Sequence, residues 1–217
     1  MRDSFHERLD QLVHQLVDMS HLAAGAMRDA TEAMLTTDLT TAERVIEDDR
    51  IVDLARTTCE SDAHLLLTLQ TPVAGDLRLV IAALHSAESL ERMGDLAQHV
   101  AEAVRRRHPR QVLPTVLRPR FEAMGALAVT LAETAADALR TKDPDLAGYA
   151  EEADNELNDL HRSLFAVLDC QDWSHGVGAA VDAVQLSQYY ERYGDHAVSI
   201  VHRSAFVSTG SMAKEAS

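Results

Sequence analysis

The sequence has few of the residues that interrupt helices or build β-sheets. Its 217 residues include nine glycines and five prolines, and aromatic residues make up only 4%. All prolines fall between Pro72 and Pro144. The long proline-free stretches are rich in Ala, Leu, Glu, Asp and Arg, a composition that favours helices over a fold of many strands. The sequence therefore predicts an all-α protein.

Cysteines and long apolar runs are also scarce. The two cysteines, Cys59 and Cys170, are too few for a disulfide framework and too far apart for a metal-binding pair. Their apolar helical surroundings predict two buried core thiols. The N-terminal residues lack the apolar segment of a secretory signal, and no run reaches the roughly 18–20 apolar residues of a membrane span. These absences predict a soluble, intracellular protein.

Basic residues are outnumbered by acidic ones, 20 against 35, which gives a formal charge of −15. Proteins that bind nucleic acids gain affinity by neutralising phosphates, so the balance argues against that class. Six arginines, and no acidic residue, lie between Arg105 and Arg120, which leaves a charge of −21 on the rest of the chain. This stretch predicts either a contact with anionic lipid headgroups or an acidic partner, or a plain solvated linker.

Six segments carry apolar residues at the spacing of three and four that packs helices along a seam. The second segment begins at a capping box formed by Thr40 and Glu43. A pattern of helix, helix, proline and helix occurs twice, which predicts two tandem antiparallel three-helix bundles related by internal duplication. We expect residues 1–108 to form the first bundle, 109–118 an Arg/Pro-rich connection, 119–207 the second bundle and 208–217 a disordered tail.

The duplication is visible in the residues themselves. Residues 91–95, Glu-Arg-Met-Gly-Asp, return at 191–195 as Glu-Arg-Tyr-Gly-Asp, and a weaker echo links 49–53 to 154–158. Each of the four predicted helices carries two polar residues one turn apart, and in all four helices this pair lies on the same side of the apolar seam. The pairs are Asp49 and Asp53, Glu91 and Asp95, Asp154 and Asn158, and Glu191 and Asp195.

The polar pairs have two interpretations. Like charges one turn apart cost a helix about 0.2–0.5 kcal/mol per pair, which a bound cation would reverse. An all-oxygen ligand set suits hard or borderline cations such as Mg²⁺, Mn²⁺ or iron. The alternative is a set of solvated helix faces, which are common in an acidic protein. Arg92 and Arg192 follow the glutamates directly and are predicted to point elsewhere.

At these residues the sequence resembles the PhoU family of accessory regulators of bacterial phosphate-specific transport. The resemblance rests on Arg-Val-Ile-Glu-Asp-Asp at 44–49, on Asp-Leu-Arg-Leu at 76–79 and on the two Glu-Arg-x-Gly-Asp segments. It extends in order from the first helix to about residue 203.

The resemblance implies two three-helix bundles with metal sites on the four polar pairs, holding iron or another ion such as manganese, magnesium or zinc. Asn158 departs from the acidic pattern of the family. The resemblance also implies a cytoplasmic homodimer, often at the inner face of the membrane, without enzymatic activity. Such proteins couple the phosphate ABC transporter to a sensor histidine kinase and keep phosphate-starvation genes off.

Two other functions are consistent with the residues. One is a carboxylate-ligated metal protein, either an iron or manganese store or a ferritin-like metalloenzyme. A di-iron bundle would carry Glu-x-x-His on two helices, and no glutamate precedes any histidine at that spacing. The other is a purely structural helical scaffold. We find no catalytic constellation in the sequence.

Overall fold

The structure is a computed structural model that describes residues 2–69, 72 and 74–209. Its helices are α1 (Arg2–Thr36), α2 (Leu39–Leu69), α3 (Gly75–Arg107), α4 (Arg118–Thr141), α5 (Leu146–Leu168) and α6 (Gly176–Thr209). A short 3₁₀ helix, Thr115–Leu117, precedes α4. There is no strand in the described part of the chain, and the predicted all-α class is confirmed.

Helices α1, α2 and α3 pack on one another, and so do α4, α5 and α6, which confirms the two three-helix bundles. The apolar residues that recur at spacings of three and four along α3 and α4 are buried, including Leu90 and Phe121 with no exposed area. The end of the second bundle differs from the prediction, because α6 continues through Ser208 and Thr209. The remaining residues of the predicted tail, 210–217, lie outside the described residues.

The two bundles also pack on each other, through α1 against α4 and α3 against α6. Each contact joins a helix to its own counterpart in the other bundle. Along the second interface, His99 stacks on Tyr189 with the ring centroids 5.3 Å apart, and Arg203 donates a hydrogen bond to Ser89. In these helices, a residue and its counterpart in the other repeat are 100 positions apart, as Ser89 and Tyr189 are. A two-fold rotation would therefore nearly exchange the two contacts. The bundles are thus related by a pseudo-two-fold axis, the symmetry of an isologous interface.

Helix α1 buries more than its predicted seam because it contacts helices of both bundles. Ser20 and Thr31 are buried on this additional surface. The Ser20 hydroxyl donates to the carbonyl oxygen of Ala132 in α4 at 2.8 Å, which satisfies a polar group that would be costly to bury alone. The seam pattern predicted only the contacts within the first bundle.

Two local predictions are wrong. Helix α2 is capped by Asp38, whose carboxylate accepts hydrogen bonds from the backbone N–H of Thr40 and Thr41, and not by a Thr40–Glu43 box. Aspartate is an equally favourable cap, and it lies where the chain leaves α1. Cys59 is buried as predicted, but Cys170 is exposed because it follows the end of α5 in a turn.

Candidate functional site

The four predicted polar pairs assemble into two clusters, one in each bundle. The first acidic cluster consists of Asp49 and Asp53 on α2 with Glu91 and Asp95 on α3, and the second acidic cluster consists of Asp154 and Asn158 on α5 with Glu191 and Asp195 on α6. Helical periodicity explains the assembly, since residues four apart share a face and both faces flank a packed seam.

Burial and mutual repulsion raise the pKa values of carboxylates in the first acidic cluster. The pKa of Asp49 is raised to about 6, mainly because burial disfavours its charged form, and then because Asp95, Asp53 and Glu91 add negative charge nearby. The pKa of Glu91 is raised for the same reasons. The four side chains are therefore electrostatic neighbours, as the register predicted.

Arginines partly neutralise the first acidic cluster, which the sequence interpretation missed. Arg92 donates to Asp95 at 3.0 Å and its Nε lies 3.5 Å from Glu91, so the prediction that Arg92 points elsewhere is wrong. Its long side chain folds back along α3. Arg56 on α2 binds Glu60 and lies 3.9 Å from Glu91. In the second bundle, burial and Asp195 raise the pKa of Glu191, and the positive charge of Arg192 offsets part of the rise.

The second acidic cluster repeats the first with one carboxylate fewer. Burial raises the pKa of Asp154 to about 6, with further contributions from Asp195 and Glu191. The amide nitrogen of Asn158 donates to Oδ2 of Asp154 at 2.9 Å. The other oxygen of Asp154, Oδ1, is buried and has no hydrogen-bond partner among the described residues. Asn158 thus stabilises the charged form of Asp154 in place of a fourth carboxylate.

His161 takes the place in the second bundle that Arg56 takes in the first. The offset of 105 residues that aligns Asp49 with Asp154 also aligns these two side chains, so the repeat itself contained the signal that would have found them. His161 lowers the pKa of Glu191, and its Nδ1 lies 3.0 Å from the Ser187 hydroxyl. That hydroxyl donates its proton to the Val184 carbonyl, so Nδ1 of His161 is the donor to Ser187.

A glycine makes room for the buried aspartate in each cluster. A methyl group at Gly94 would lie 3.1 Å from Oδ1 of Asp49, and one at Gly194 would lie 2.7 Å from Oδ1 of Asp154. These glycines sit on α3 and α6, where the absence of a side chain lets the facing helix bring its carboxylate in. The glycines therefore serve the clusters as well as the close packing of the helices.

The donor chemistry of both clusters fits a hard or borderline cation. The four polar pairs offer oxygen ligands, and Oδ1 of Asp154 is buried without a hydrogen-bond partner in the described part of the chain. Within the described residues, however, no group of three or more His, Cys, Asp or Glu side chains stands in an arrangement that could hold a metal ion. Metal binding by the eight residues stays a prediction, and it requires side chains to turn toward a common centre.

The arginine-rich stretch is partly tied into the fold. Arg105 lies 3.2 Å from Glu102, and Arg107 forms an ion pair with Asp182 of α6. The first contact lies within α3, and the second fastens the end of α3 to α6 of the other bundle. Contact with lipid headgroups or an acidic partner stays a prediction. In the part of the chain that is described, no helix has both the length and the apolar character needed to cross a membrane.

Relatives of known name match almost the whole chain. The chain is 44% identical over 210 residues to "Phosphate-specific transport system accessory protein PhoU homolog 2" of Mycobacterium tuberculosis, covering 97% of this chain and 99% of the relative. It is 43% identical over 215 residues to PhoU homolog 1 of Mycobacterium leprae, covering 99% and 97%.

Solved structures share the fold. The PhoU regulatory protein of Streptococcus pneumoniae superposes with a TM-score of 0.87 at 21% identity, covering 97% of this chain and all of the other. PhoU of Pseudomonas aeruginosa gives 0.83 at 24% identity, covering 95% of this chain and all of the other. The PhoU domain model matches residues 16–104 and 121–204, one match to each bundle. With both repeats matched and relatives above 40% identity along its length, the chain belongs to the PhoU family.

Proposed function

We propose that this chain is a non-enzymatic negative regulator of phosphate uptake and of phosphate-starvation signalling. The observation that carries the proposal is family membership along the whole chain, with relatives named as accessory proteins of phosphate-specific transport systems. In this role the chain acts in the cytoplasm and at the inner face of the membrane. It couples the phosphate ABC transporter to a sensor histidine kinase through contacts that depend on the state of the transporter. The homodimer implied by the family resemblance stays a prediction.

Deleting the gene is expected to derepress phosphate-starvation genes in phosphate-rich medium. A reporter for one such promoter and the rate of radiolabelled phosphate uptake measure the effect, and both are expected to rise several-fold. The strain should lack every other PhoU-family gene, so that no second copy compensates. Wild-type chain supplied from a plasmid restores repression. Unchanged expression in that strain contradicts the regulatory role.

We also propose that the acidic clusters bind metal ions in the working protein. The first acidic cluster would supply four carboxylates. The second would supply three, together with the amide oxygen of Asn158 and Nε2 of His161. A bound divalent or ferric ion supplies positive charge that removes the repulsion within each cluster. The role of the protein residues is to hold the carboxylates close, and that of Gly94 and Gly194 is to admit them.

Replacing Glu91 and Asp95 together by alanine is expected to remove the metal bound by the first acidic cluster. Elemental analysis of protein purified without chelator measures the metal content per chain. Glu43→Ala with Glu47→Ala is the matched control, because this pair is also acidic, one turn apart and helical, but fully on the exposed face of α2. Equal metal content in both double variants contradicts the proposed site.

A further inference from the structure

Both bundles expose apolar side chains at the start of their third helix. Leu77 and Ile81 of α3 are 37% and 45% exposed, and Val177 and Val181 of α6 are 79% and 58% exposed. The 100-residue offset that aligns the Glu-Arg-x-Gly-Asp segments also aligns these two pairs. Single exposed apolar residues are ordinary on a protein surface, but exposure of the same two positions in both repeats is not random scatter.

Each bundle also exposes an apolar residue near the end of the preceding helix. Leu65 near the end of α2 is 39% exposed, and Phe165 near the end of α5 is 47% exposed. We call Leu65, Leu77 and Ile81 the first tip, and Phe165, Val177 and Val181 the second tip. At the second tip, α5 and α6 enclose an open groove of about 800 Å³, lined by Phe165, Leu168, Ala180, Val181 and Val184 together with polar residues. A groove of this size accommodates apolar side chains of another protein.

Acidic residues border both tips. Asp76 precedes Leu77 and Glu88 lies two turns beyond Ile81, whereas Arg78 between them is directed to the ring of Phe206. At the second tip, Asp169 and Asp172 follow the end of α5. The chain as a whole carries −15. A surface complementary to either tip therefore presents apolar side chains with lysine or arginine beside them.

The pseudo-two-fold axis fixes how the tips are related. Helices α3 and α6 run antiparallel, with His99 against Tyr189, so Gly94 and Gly194 lie at the same level near the axis. Ile81 and Val181 each precede these glycines by 13 residues. At about 1.5 Å per residue, the tips lie roughly 40 Å apart along the interface and at opposite ends of it.

We infer that the two tips together bind one two-fold symmetric homodimer, each of whose subunits presents an apolar ridge flanked by basic residues. Two surfaces built on equivalent positions of α3 and α6, and related by a pseudo-two-fold axis, match two equivalent surfaces on a symmetric dimer. One copy of this chain then bridges both subunits, and the second contact is effectively intramolecular. The inference rests on the proposed function only for the choice of partner proteins in the test.

The test measures binding of the purified full-length chain to two purified proteins, the ATP-binding subunit of the phosphate transporter and the cytoplasmic region of the sensor kinase. We expect one of them to bind at one chain per two partner subunits, as measured by light scattering and calorimetry. Ile81→Asp and Val181→Asp are each expected to weaken binding at least tenfold, and the double variant to abolish it. Val116→Asp is the matched control, since Val116 is 58% exposed outside both tips. Unchanged circular dichroism and melting temperature confirm that the variants fold.

A photo-crosslinking amino acid placed at position 81 or 181 extends the test to whole cells. We expect both positions to capture the same polypeptide, and position 149, which is exposed elsewhere on α5, not to capture it.

Capture of different polypeptides, of a second copy of this chain or of nothing overturns the inference. Wild-type affinity in the double variant also overturns the inference, and so does a ratio of one chain to one partner subunit. Both of these outcomes leave the proposed function intact. If neither purified protein binds, but both positions capture one other protein that binds at one to two, the docking inference stands and the proposed function fails.

Discussion

Replacing Gly125 by alanine is expected to lower the free energy of unfolding by about 2 kcal/mol and the melting temperature by roughly 4–8 °C. An added methyl group would lie 2.5 Å from Cγ2 and 2.8 Å from Oγ1 of Thr31, across the contact between α1 and α4. Thr31 cannot simply rotate away. Its hydroxyl donates to the Met27 carbonyl and accepts from the Tyr190 hydroxyl, and all three groups are buried together. We put the overpacking cost at about 3 kcal/mol, against a gain of about 1 kcal/mol in helix propensity.

Gly25→Ala is the matched control for this prediction. Gly25 also lies within a helix of this interface, α1, but an added methyl group meets no atom within 4 Å. It should therefore stabilise the protein by about 0.5–1 kcal/mol through helix propensity alone. Urea denaturation of both variants measures the difference. Adding Thr31→Ser, which removes the nearest carbon, should restore part of the loss in Gly125→Ala. Equal stability of the two alanine variants contradicts the proposed packing.

The metal-free protein is expected to become less stable as the pH rises from 4 to 7. Asp49 and Asp154 each have a folded-state pKa of about 6, above the ordinary value of 3.8. In this window the folded state binds more protons than the unfolded state, so the free energy of unfolding falls with rising pH. A fully buried carboxylate with that pKa would cost about 3 kcal/mol at pH 7. Both groups are only half-buried, and solvent screening reduces the cost to about 1 kcal/mol each.

Asp49→Asn with Asp154→Asn is therefore expected to be about 2 kcal/mol more stable than wild type at pH 7 and nearly equal to it at pH 4. Urea denaturation at several pH values in a chelating buffer measures the effect. Asp48→Asn with Glu156→Gln removes the same charge from the same helices at exposed positions, and serves as the control. If stability depends on pH in the same way in wild type and in Asp49→Asn with Asp154→Asn, these two carboxylates do not destabilise the folded state at pH 7.

The acidic clusters could be placed from the sequence because a helix fixes which residues share a face. The positions of Asp49 and Asp53 relative to their seam predict that both lie on one flank of α2. The duplication of 91–95 at 191–195 then predicts that the same arrangement occurs twice. In the structure, Asp49 lies against Gly94 and Asp154 against Gly194, so each polar pair meets the Glu-Arg-x-Gly-Asp segment of the facing helix.

The neighbours of the clusters could not be placed in this way. Arg92 and Arg56 have long side chains, and the carboxylate that such a side chain reaches depends on its rotamer and on the facing helix. His161 acquires its role from Ser187 on another helix. The sequence contained a signal for Arg56 and His161, namely their equivalence in the repeat, but no pattern of charge or apolar spacing singles them out.

By itself the sequence determined the number of helices, their apolar seams, the duplication and the flank on which the polar pairs lie. All of these follow from short-range periodicity and from self-similarity along the chain. Only the tertiary structure decided how the two bundles meet. The contact of α1 with α4 buries Thr31 against Gly125, and the antiparallel contact of α3 with α6 places the exposed tips at opposite ends. The physical reason is that packing between helices distant in sequence depends on side-chain volumes at the contact, which a single helix's periodicity does not encode.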